Sequence, residues 1–399
     1  MTDINQEEIQ PSIIIDSGSG NTRIGFSNEE LPREEFPTIV GRTKYYGVIY
    51  GVPTKKVIFA GHEVRTQKSN ISIKHPIERG LITNWDDMEK LWNYSFHQLL
   101  NISCDEHSIL ITDSPFNSKE NREKTTQIMF ETFNTRSLNI TNRASLSLIA
   151  SGKESGIISH CGYGESYSIP IYQSKIISNS ISRLPLGGSD LSNHLMESLK
   201  KRNYQFNTIS ESLIVNDIKE KLSYISLNFH KDISKQKTSN SMEQLIFAHS
   251  TNDSKQYELP DGRVISLNNN ELFQSTEPIF QPSLVGCESI GIHEHIYNSF
   301  LKCNLEIRSQ LLNNIVLSGG STLIKGFSER LSKELLDLSP TSSKFNIIEN
   351  PQRKNLSWVG GSIVSTLSTF RQQWITPQEY DEFGPQIVNT KLNFFINSL

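Results

Sequence analysis

Read along its apolar positions, the chain alternates between short hydrophobic runs broken by glycine and longer stretches with helical spacing. Ile13-Ile14-Ile15 is an apolar run, Gly18 and Gly20 interrupt it, and Ile24 and Phe26 resume an alternation. Residues 11–26 therefore predict strand, turn, strand. The same design returns at 156–172, where Ile157-Ile158 leads into Gly162 and Gly164 and then Ile169 and Ile171. Two Gly-x-Gly hairpins in two halves of one chain predict two related lobes. Ile315-Val316-Leu317 runs into a third glycine turn, Gly319-Gly320, expected to precede a helix.

Residues 84–100 predict an amphipathic helix. Asn84 can cap it, Asp86 and Asp87 suit its positive end, and Trp85, Met88, Trp92 and Leu99 fall on one stripe. Residues 211–227 predict another, through Ile214, Ile218, Leu222 and Ile225, and Phe327, Leu331 and Leu335 mark a third. Residues 230–256 are rich in Ser, Lys, Gln and Asn with weak periodicity, and are expected to be mostly exposed loop. Pro260-Asp261-Gly262 is a turn. No other long linker appears, so the two lobes are expected to interleave.

Composition narrows the class. At 399 residues, length predicts about two to three domains. With 36% hydrophobic and 21% charged residues a packed core is expected rather than disorder. A net charge of -4 gives no basic excess for nucleic acid or an acidic membrane. Four cysteines, Cys104, Cys161, Cys287 and Cys303, show no CxxC pairing, which suits reduced thiols. The polar, acidic residues 1–10 lack the pattern of a signal peptide. No apolar run approaches the roughly 20 residues of a membrane span. The expected compartment is the cytosol, with the nucleus open.

The glycine turns carry the candidate chemistry. In Asp16-Ser17-Gly18-Ser19-Gly20 the glycines let backbone approach a phosphate and successive N–H groups form an anion nest. Ser19 adds a hydroxyl, Arg23 a cation, and Asp16 a carboxylate able to hold a metal through water. Alone, such a motif is equally a bare β-turn. Paired with a second hairpin at Gly162 and Gly164 it predicts a clamp on a polyphosphate. Leu317-Ser318-Gly319-Gly320-Ser321-Thr322 fits an adenosine or phosphate contact, or simply a tight loop.

Several segments then resemble actin along nearly the whole chain: FPTIVGR (36–42), TNWDDMEKLW (83–92), NREKTTQIMFETFNT (121–135), DIKEKLSY (217–224), YELPDG (257–262), FQPS (280–283), LSGGST (317–322), WVGGS (358–362) and QEYDEFGP (378–385). The resemblance implies the α/β actin-like fold shared with Hsp70 and sugar kinases. It implies two lobes of two subdomains around a nucleotide cleft holding ATP or ADP and a divalent ion. The implied boundaries are 1–150 for the first lobe (second subdomain about 38–75), 151–355 for the second (fourth subdomain about 188–278), and 356–399 returning to the first. Carried over position by position, the first phosphate hairpin is Asp16, Ser17, Gly18, Ser19, Gly20, Asn21, Thr22 and Arg23. Arg23 replaces a lysine, which keeps the charge but changes its geometry. The second hairpin comprises Gly162, Tyr163, Gly164 and Glu165. Gly188, Lys219 and Glu220 match base and ribose contacts, and Gly319, Gly320, Ser321 and Lys354 match the adenosine side. Ile324 and Asn355 stand at aromatic positions of that region.

Departures cluster at the chemistry. Where actin reads Asp-Ser-Gly-Asp-Gly, this chain reads His160-Cys161-Gly162-Tyr163-Gly164, so both metal-ordering aspartates are gone. Arg143 replaces the glutamine that orients the attacking water, and Tyr167 replaces a nearby histidine. Asp16 alone remains for a metal. Losing one positioned polar group costs on the order of 10²–10³ in rate, and groups acting as a unit do not multiply. Very low hydrolysis is therefore expected at the degenerate catalytic positions Arg143, His160 and Tyr167. The phosphate end changes by about +3 in charge with His160 neutral, comparable with Mg²⁺, so nucleotide binding is expected to need Mg²⁺ less. The competing arrangement pairs Arg143 with Asp16 and closes the site.

The resemblance also implies assembly surfaces. Residues 45–57 match the loop that inserts into a neighbouring subunit. Ile149, Lys175, Val364 and Leu367 match its receiving groove, with Lys175 in place of a tyrosine. Val285-Gly286-Cys287 matches an inter-strand plug. The 230–256 segment is longer than actin's and the 393–396 end is altered. The expectation is a divergent actin or actin-related protein with weak self-assembly, partnered by actin and actin-binding proteins, with no nucleic acid and no membrane insertion. The alternatives are an active filament subunit and a scaffold in a nuclear or cytoplasmic complex.

Overall fold

The computed structural model describes residues 10–43, 58–66, 71–206, 208–239, 254–339 and 345–391. It divides into two compact units. One comprises Met1–Ile158, Ile171–Ile177 and Lys354–Leu399, and the other comprises Ser159–Pro170 and Ser178–Arg353.

The first unit is organised by a five-stranded sheet in the order Ser137–Asn142, Ser108–Asp113, Ile13–Ser17, Asn21–Phe26, Glu34–Pro37. The first three strands are parallel and the last two are added antiparallel. The unbroken run Ile13-Ile14-Ile15 follows from burial on both faces. Ile13 and Ile15 join the cluster with Met88, Trp92, Phe96, Ile109 and Ile111. Ile14 and Leu110 join the cluster with Leu146, Trp358 and Phe370. On that face the Leu356–Thr366 and Arg143–Ala150 helices approach so closely that a Cβ on Gly360 would lie 2.0 Å from the Leu146 carbonyl oxygen. A smaller antiparallel sheet of Ile58–Ala60, Val40–Thr43 and Ile71–Lys74 belongs to the same unit.

A six-stranded sheet runs Lys175–Ile176, Ser166–Tyr172, Gly156–Cys161, Ile315–Ser318, Ile347–Ile348, with Ser182–Leu184 also paired to Ser166–Tyr172. In the second unit, helices Gly188–Lys200 and Ile209–Leu222 bury Leu195, Leu199, Val215 and Ile218 against Leu267 and Leu272. The hairpin Ser254–Glu258 and Val264–Asn268 turns through Gly262 at φ 84.

Asn84 caps its helix as expected, accepting from Asp87 N at 3.0 Å. The helix runs Trp85–Asn93, widens into a π-helical stretch Tyr94–Leu100 and stops at Asn101, φ 52. Three expectations need correction. The helix expected over 211–227 is Ile209–Leu222. It starts at a Thr208–Glu211 capping box and ends where Ser223 turns extended. Ile225 is instead buried from an extended segment whose N–H donates to the Lys325 carbonyl at 2.8 Å. The segment 230–256, expected to be mostly loop, starts in a helix, Phe229–Ser239, and ends in the strand Ser254–Glu258, while residues 240–253 lie outside the described residues. Buried Phe229 anchors that helix, and Ser226 Oγ donates to Asp232 at 2.6 Å in its first turn, contacts that periodicity does not register. The Gly319-Gly320 turn leads first into a short 3₁₀ turn, Gly320–Leu323, with the α-helix following at Phe327–Leu338.

Candidate functional site

In the first unit the three parallel strands end together, and ligands of open α/β sheets gather at such carboxyl ends. Asp16 lies near the end of Ile13–Ser17, Thr112 and Asp113 close Ser108–Asp113, and Arg143 opens the helix that follows Ser137–Asn142. Asn142 caps that helix by accepting from Ala144 N at 2.9 Å, which fixes Arg143 at its first position. A cation is disfavoured there by the helix dipole, so it needs a carboxylate close by. Asp16 supplies it. Arg143 Nε lies 3.1 Å from Asp16 Oδ1, and Arg143 Nη2 donates to Ser17 O at 3.0 Å. Thr112 Oγ1 donates to the same Asp16 oxygen at 2.5 Å, and Arg23 stands 3.7 Å from the other. Burial works against ionising Asp16, but Arg143, Arg23 and Thr112 together hold its pKa below the usual carboxylate value. Of the two arrangements open to Arg143, the structure has the one in which it pairs with Asp16. Next to it, Asp113 is bound by Arg122 at 2.6 Å and Asn117 at 2.7 Å, and burial pushes its pKa up.

The turn itself is closed by Gly18 N donating to Asn21 O at 2.9 Å. Ser19 Oγ accepts from Gly80 N at 2.9 Å, and Thr22 pairs with Thr38. Among the described residues, Ser17 Oγ and Arg23 Nε are buried with no hydrogen-bond partner, two polar groups of one hairpin that an anionic ligand could satisfy. Arg23 and Lys354 both reach Glu35, at 2.8 and 2.6 Å.

The second hairpin repeats the turn: Gly162 N donates to Glu165 O at 2.9 Å. Its side chains do something else. His160 is buried, stacks on Tyr167 at 4.7 Å with the rings 13° apart, and places Nδ1 3.4 Å from Ser318 Oγ. A Cβ on Gly162 would lie 2.8 Å from His160 Nε2. Packing alone therefore accounts for a glycine at 162, and its presence does not by itself argue for a ligand. Glu165 is buried and lies 3.5 Å from Arg183. The Tyr163 ring lies 5.7 Å from Lys219 Nζ, and burial, with Glu220 and Asp190 adding, raises the phenol's pKa.

The residues expected on the base and ribose side do come together in the second unit. Lys219 Nζ donates to Gly188 O at 2.7 Å, Ser192 Oγ at 3.0 Å and Asn216 Oδ1 at 2.8 Å. Burial lowers its pKa to about 8. Glu220 is exposed and accepts from Asn216 at 2.8 Å. Ser321 Oγ donates to Gly162 O at 3.0 Å. A Cβ at Gly188 would lie 2.7 Å from Ser321 Oγ and 3.1 Å from Lys219 Nζ, so any side chain there would have to push these groups aside. Gly319 holds φ 89 and packs on the Cys161 backbone, whereas a Cβ on Gly320 would meet open space. Ile324 and Asn355 are buried.

A divalent ion does not fit the first hairpin as built. Asp16, the carboxylate assigned to it, is already held by two arginines and a threonine, and the second hairpin presents an imidazole and a phenol in place of carboxylates. Among the described residues, no group of three or more His, Cys, Asp or Glu could hold a metal. Glu35 and Thr112 were missed from the sequence. Both lie on strands beside the glycine turns, opposite Arg23 and beside Asp16, so strand register would have found them. Of the assembly residues, Lys175 is exposed, Leu367 is 41% exposed, Val364 is buried, and Ile149 packs at the edge of a core cluster. Gly286 holds φ 70 after a short 3₁₀ turn, Pro282–Val285. Residues 45–57 and 393–396 lie outside the described residues. All four cysteines are free thiols, and burial pushes Cys104 and Cys161 up to about 12. No helix of the described residues is long and apolar enough to cross a membrane.

Glycine hairpins repeated in two α/β units define the actin-like fold. The family model for actin matches residues 7–393. A Dictyostelium discoideum protein named "Putative actin-29" is 41% identical over 394 residues, covering 97% of this chain and 98% of that one. The chain belongs to the actin family.

Proposed function

We propose that this chain is a cytoskeletal member of the actin family that binds ATP or ADP, hydrolyses it far more slowly than conventional actin, and assembles weakly by itself. It works beside actin and actin-binding proteins in the cytoplasm. One observation carries the proposal: Arg143, standing where the family orients water, is tied to Asp16 at 3.1 Å and to Ser17 O at 3.0 Å. A guanidinium has no lone pair to accept a proton from water. Held on Asp16, it cannot accept the attacking water's proton in a hydrogen bond as the family's glutamine oxygen can, and it occupies the carboxylate a metal's water shell needs. His160 and Tyr167, stacked on each other, add no carboxylate to the second hairpin. Binding is supported separately, by the first Gly turn with its Ser17 Oγ and Arg23 Nε unpaired among the described residues, and by the gathering of Gly188, Lys219 and Ser321. Phosphoryl transfer depends on positioning and charge, so these losses fall on rate before they fall on affinity.

The test is phosphate release, side by side with conventional actin under polymerising conditions. The expected turnover is at least about 10²-fold lower. Turnover equal to actin's would overturn the proposal. Changing Arg143→Gln, His160→Asp and Tyr163→Asp together should raise the rate, and no single change should, because the groups act as a unit.

A further inference from the structure

Glu35 bridges the two cations of the first unit that the nucleotide reading assigns to phosphate and adenosine. It sits on the strand Glu34–Pro37, directly opposite Arg23 in the antiparallel register, so the pairing is set by the sheet and not by chance rotamers. Arg23 Nη2 lies 2.8 Å from Oε1, Asn21 Nδ2 donates to the same oxygen at 3.1 Å, and Lys354 Nζ lies 2.6 Å from Oε2. Both carboxylate oxygens are thus engaged. Arg23 is 12% exposed, Glu35 27% and Lys354 37%. Partial burial leaves these pairs less screened than surface ones. Burial alone would raise the Glu35 pKa, but Arg23 and Lys354 hold it low, so the carboxylate is charged at neutral pH.

We propose that Glu35 is a built-in competitor for the nucleotide: it holds Arg23 and Lys354 in the unliganded protein, and a nucleoside polyphosphate binds by displacing it. The inference rests on the nucleotide-binding reading above. Its chemistry is an exchange of ligands on the same two cations: phosphate takes the place of the carboxylate on Arg23, and the nucleoside takes its place on Lys354. A carboxylate already matched to a guanidinium and an ammonium removes most of the gain a phosphate would obtain there. Arg23 is fixed by its strand, whereas Lys354 is the more exposed partner and the one free to swing. Two consequences follow. The unliganded first unit does not depend on nucleotide to neutralise its cations. Affinity is set by Glu35 as much as by the glycine turns.

The experiment titrates a fluorescent ATP analogue into the full chain and into Glu35→Gln, with thermal denaturation of each without nucleotide. Glutamine keeps the shape and removes the charge. The expected result is about tenfold tighter binding by Glu35→Gln, the scale of one charge-assisted hydrogen bond. Its Tm without nucleotide should fall and be regained at saturating analogue. Measurable binding with the same Kd in both proteins would overturn the competitor role while leaving nucleotide binding intact. Absence of binding in wild type and variant alike would overturn nucleotide binding, and the competitor role with it. If Glu35→Gln does not fold, Glu35→Asp keeps the charge at shorter reach. It should tighten binding by a smaller factor, and an unchanged or weaker affinity there would sink the proposal.

Discussion

Replacing Arg143 by methionine should destabilise the protein by about 3 kcal/mol at pH 7. The side chains of Arg143 and Asp16 are only 7% and 5% exposed, so removing the cation leaves a buried carboxylate short of its main partner. Breaking a buried pair in this way costs about 3–5 kcal/mol. The lower end applies because Thr112 still donates to Asp16 and Arg23 remains 3.7 Å away. With an unfolding entropy of about 2.1 cal/mol/K per residue, the 399-residue chain should lose about 3–4 °C of Tm. The pH dependence identifies the cause. In the wild type the Asp16 pKa lies below its unfolded value, so its contribution is present above pH 3.8 and is lost as pH falls through the folded value. In Arg143→Met, burial is opposed only by Arg23 and Thr112, and the folded pKa rises. The penalty is then full at pH 7 and is relieved as acid protonates the carboxyl. The gap in Tm between the two proteins should therefore narrow from pH 7 to pH 4. Adding Asp16→Asn to Arg143→Met should recover part of the loss, because no orphan charge remains. A Tm within 1 °C of wild type, or a gap that widens on acidification, would refute the pairing.

Two further outcomes are expected. Gly360→Ala should cost roughly 2–3 kcal/mol or prevent folding, since its Cβ would fall 2.0 Å from the Leu146 carbonyl oxygen; Gly320→Ala, which meets open space, should keep Tm, and equal Tm values for the two would count against this helix packing. Lys175 is exposed, and the resemblance to actin matches it, with Val364 and Leu367, to the groove that would receive a neighbour's loop. Burying it unpaired under a neighbour's loop is costly, so the pure protein should form few filaments by electron microscopy at micromolar concentration, and Lys175→Tyr should form more. Abundant wild-type filaments would contradict it.

The parts of the fold set by local patterning could be read from the chain, and the parts set by neighbours could not. Ile13-Ile14-Ile15 announces a strand covered on both faces because each residue in turn faces a different core cluster. Asn84 and the Trp85–Trp92 stripe announce a capped helix for equally local reasons. Ile225 continues a helical spacing yet leaves the helix, because the Lys325 backbone offers its N–H a partner across the fold. Phe229–Ser239 hides among Ser, Lys and Gln, since what anchors it is one buried ring and a serine outside it. At the site the same division holds more sharply. The glycine turns were legible. Where the charge of Arg143 would act was not. Counting charges treats the two glycine hairpins as one region, expected at about +3 relative to actin. Inside a protein the effective dielectric is low, and a charge is governed by whatever stands within about 4 Å of it. For Arg143 that is Asp16, for Arg23 it is Glu35 with Asp16 further off, and for Lys354 it is Glu35 again. A surplus of cations summed from the sequence thus becomes a set of closed pairs in the fold. Under the nucleotide-binding proposal, what the chain offers a nucleotide depends on how readily those pairs open.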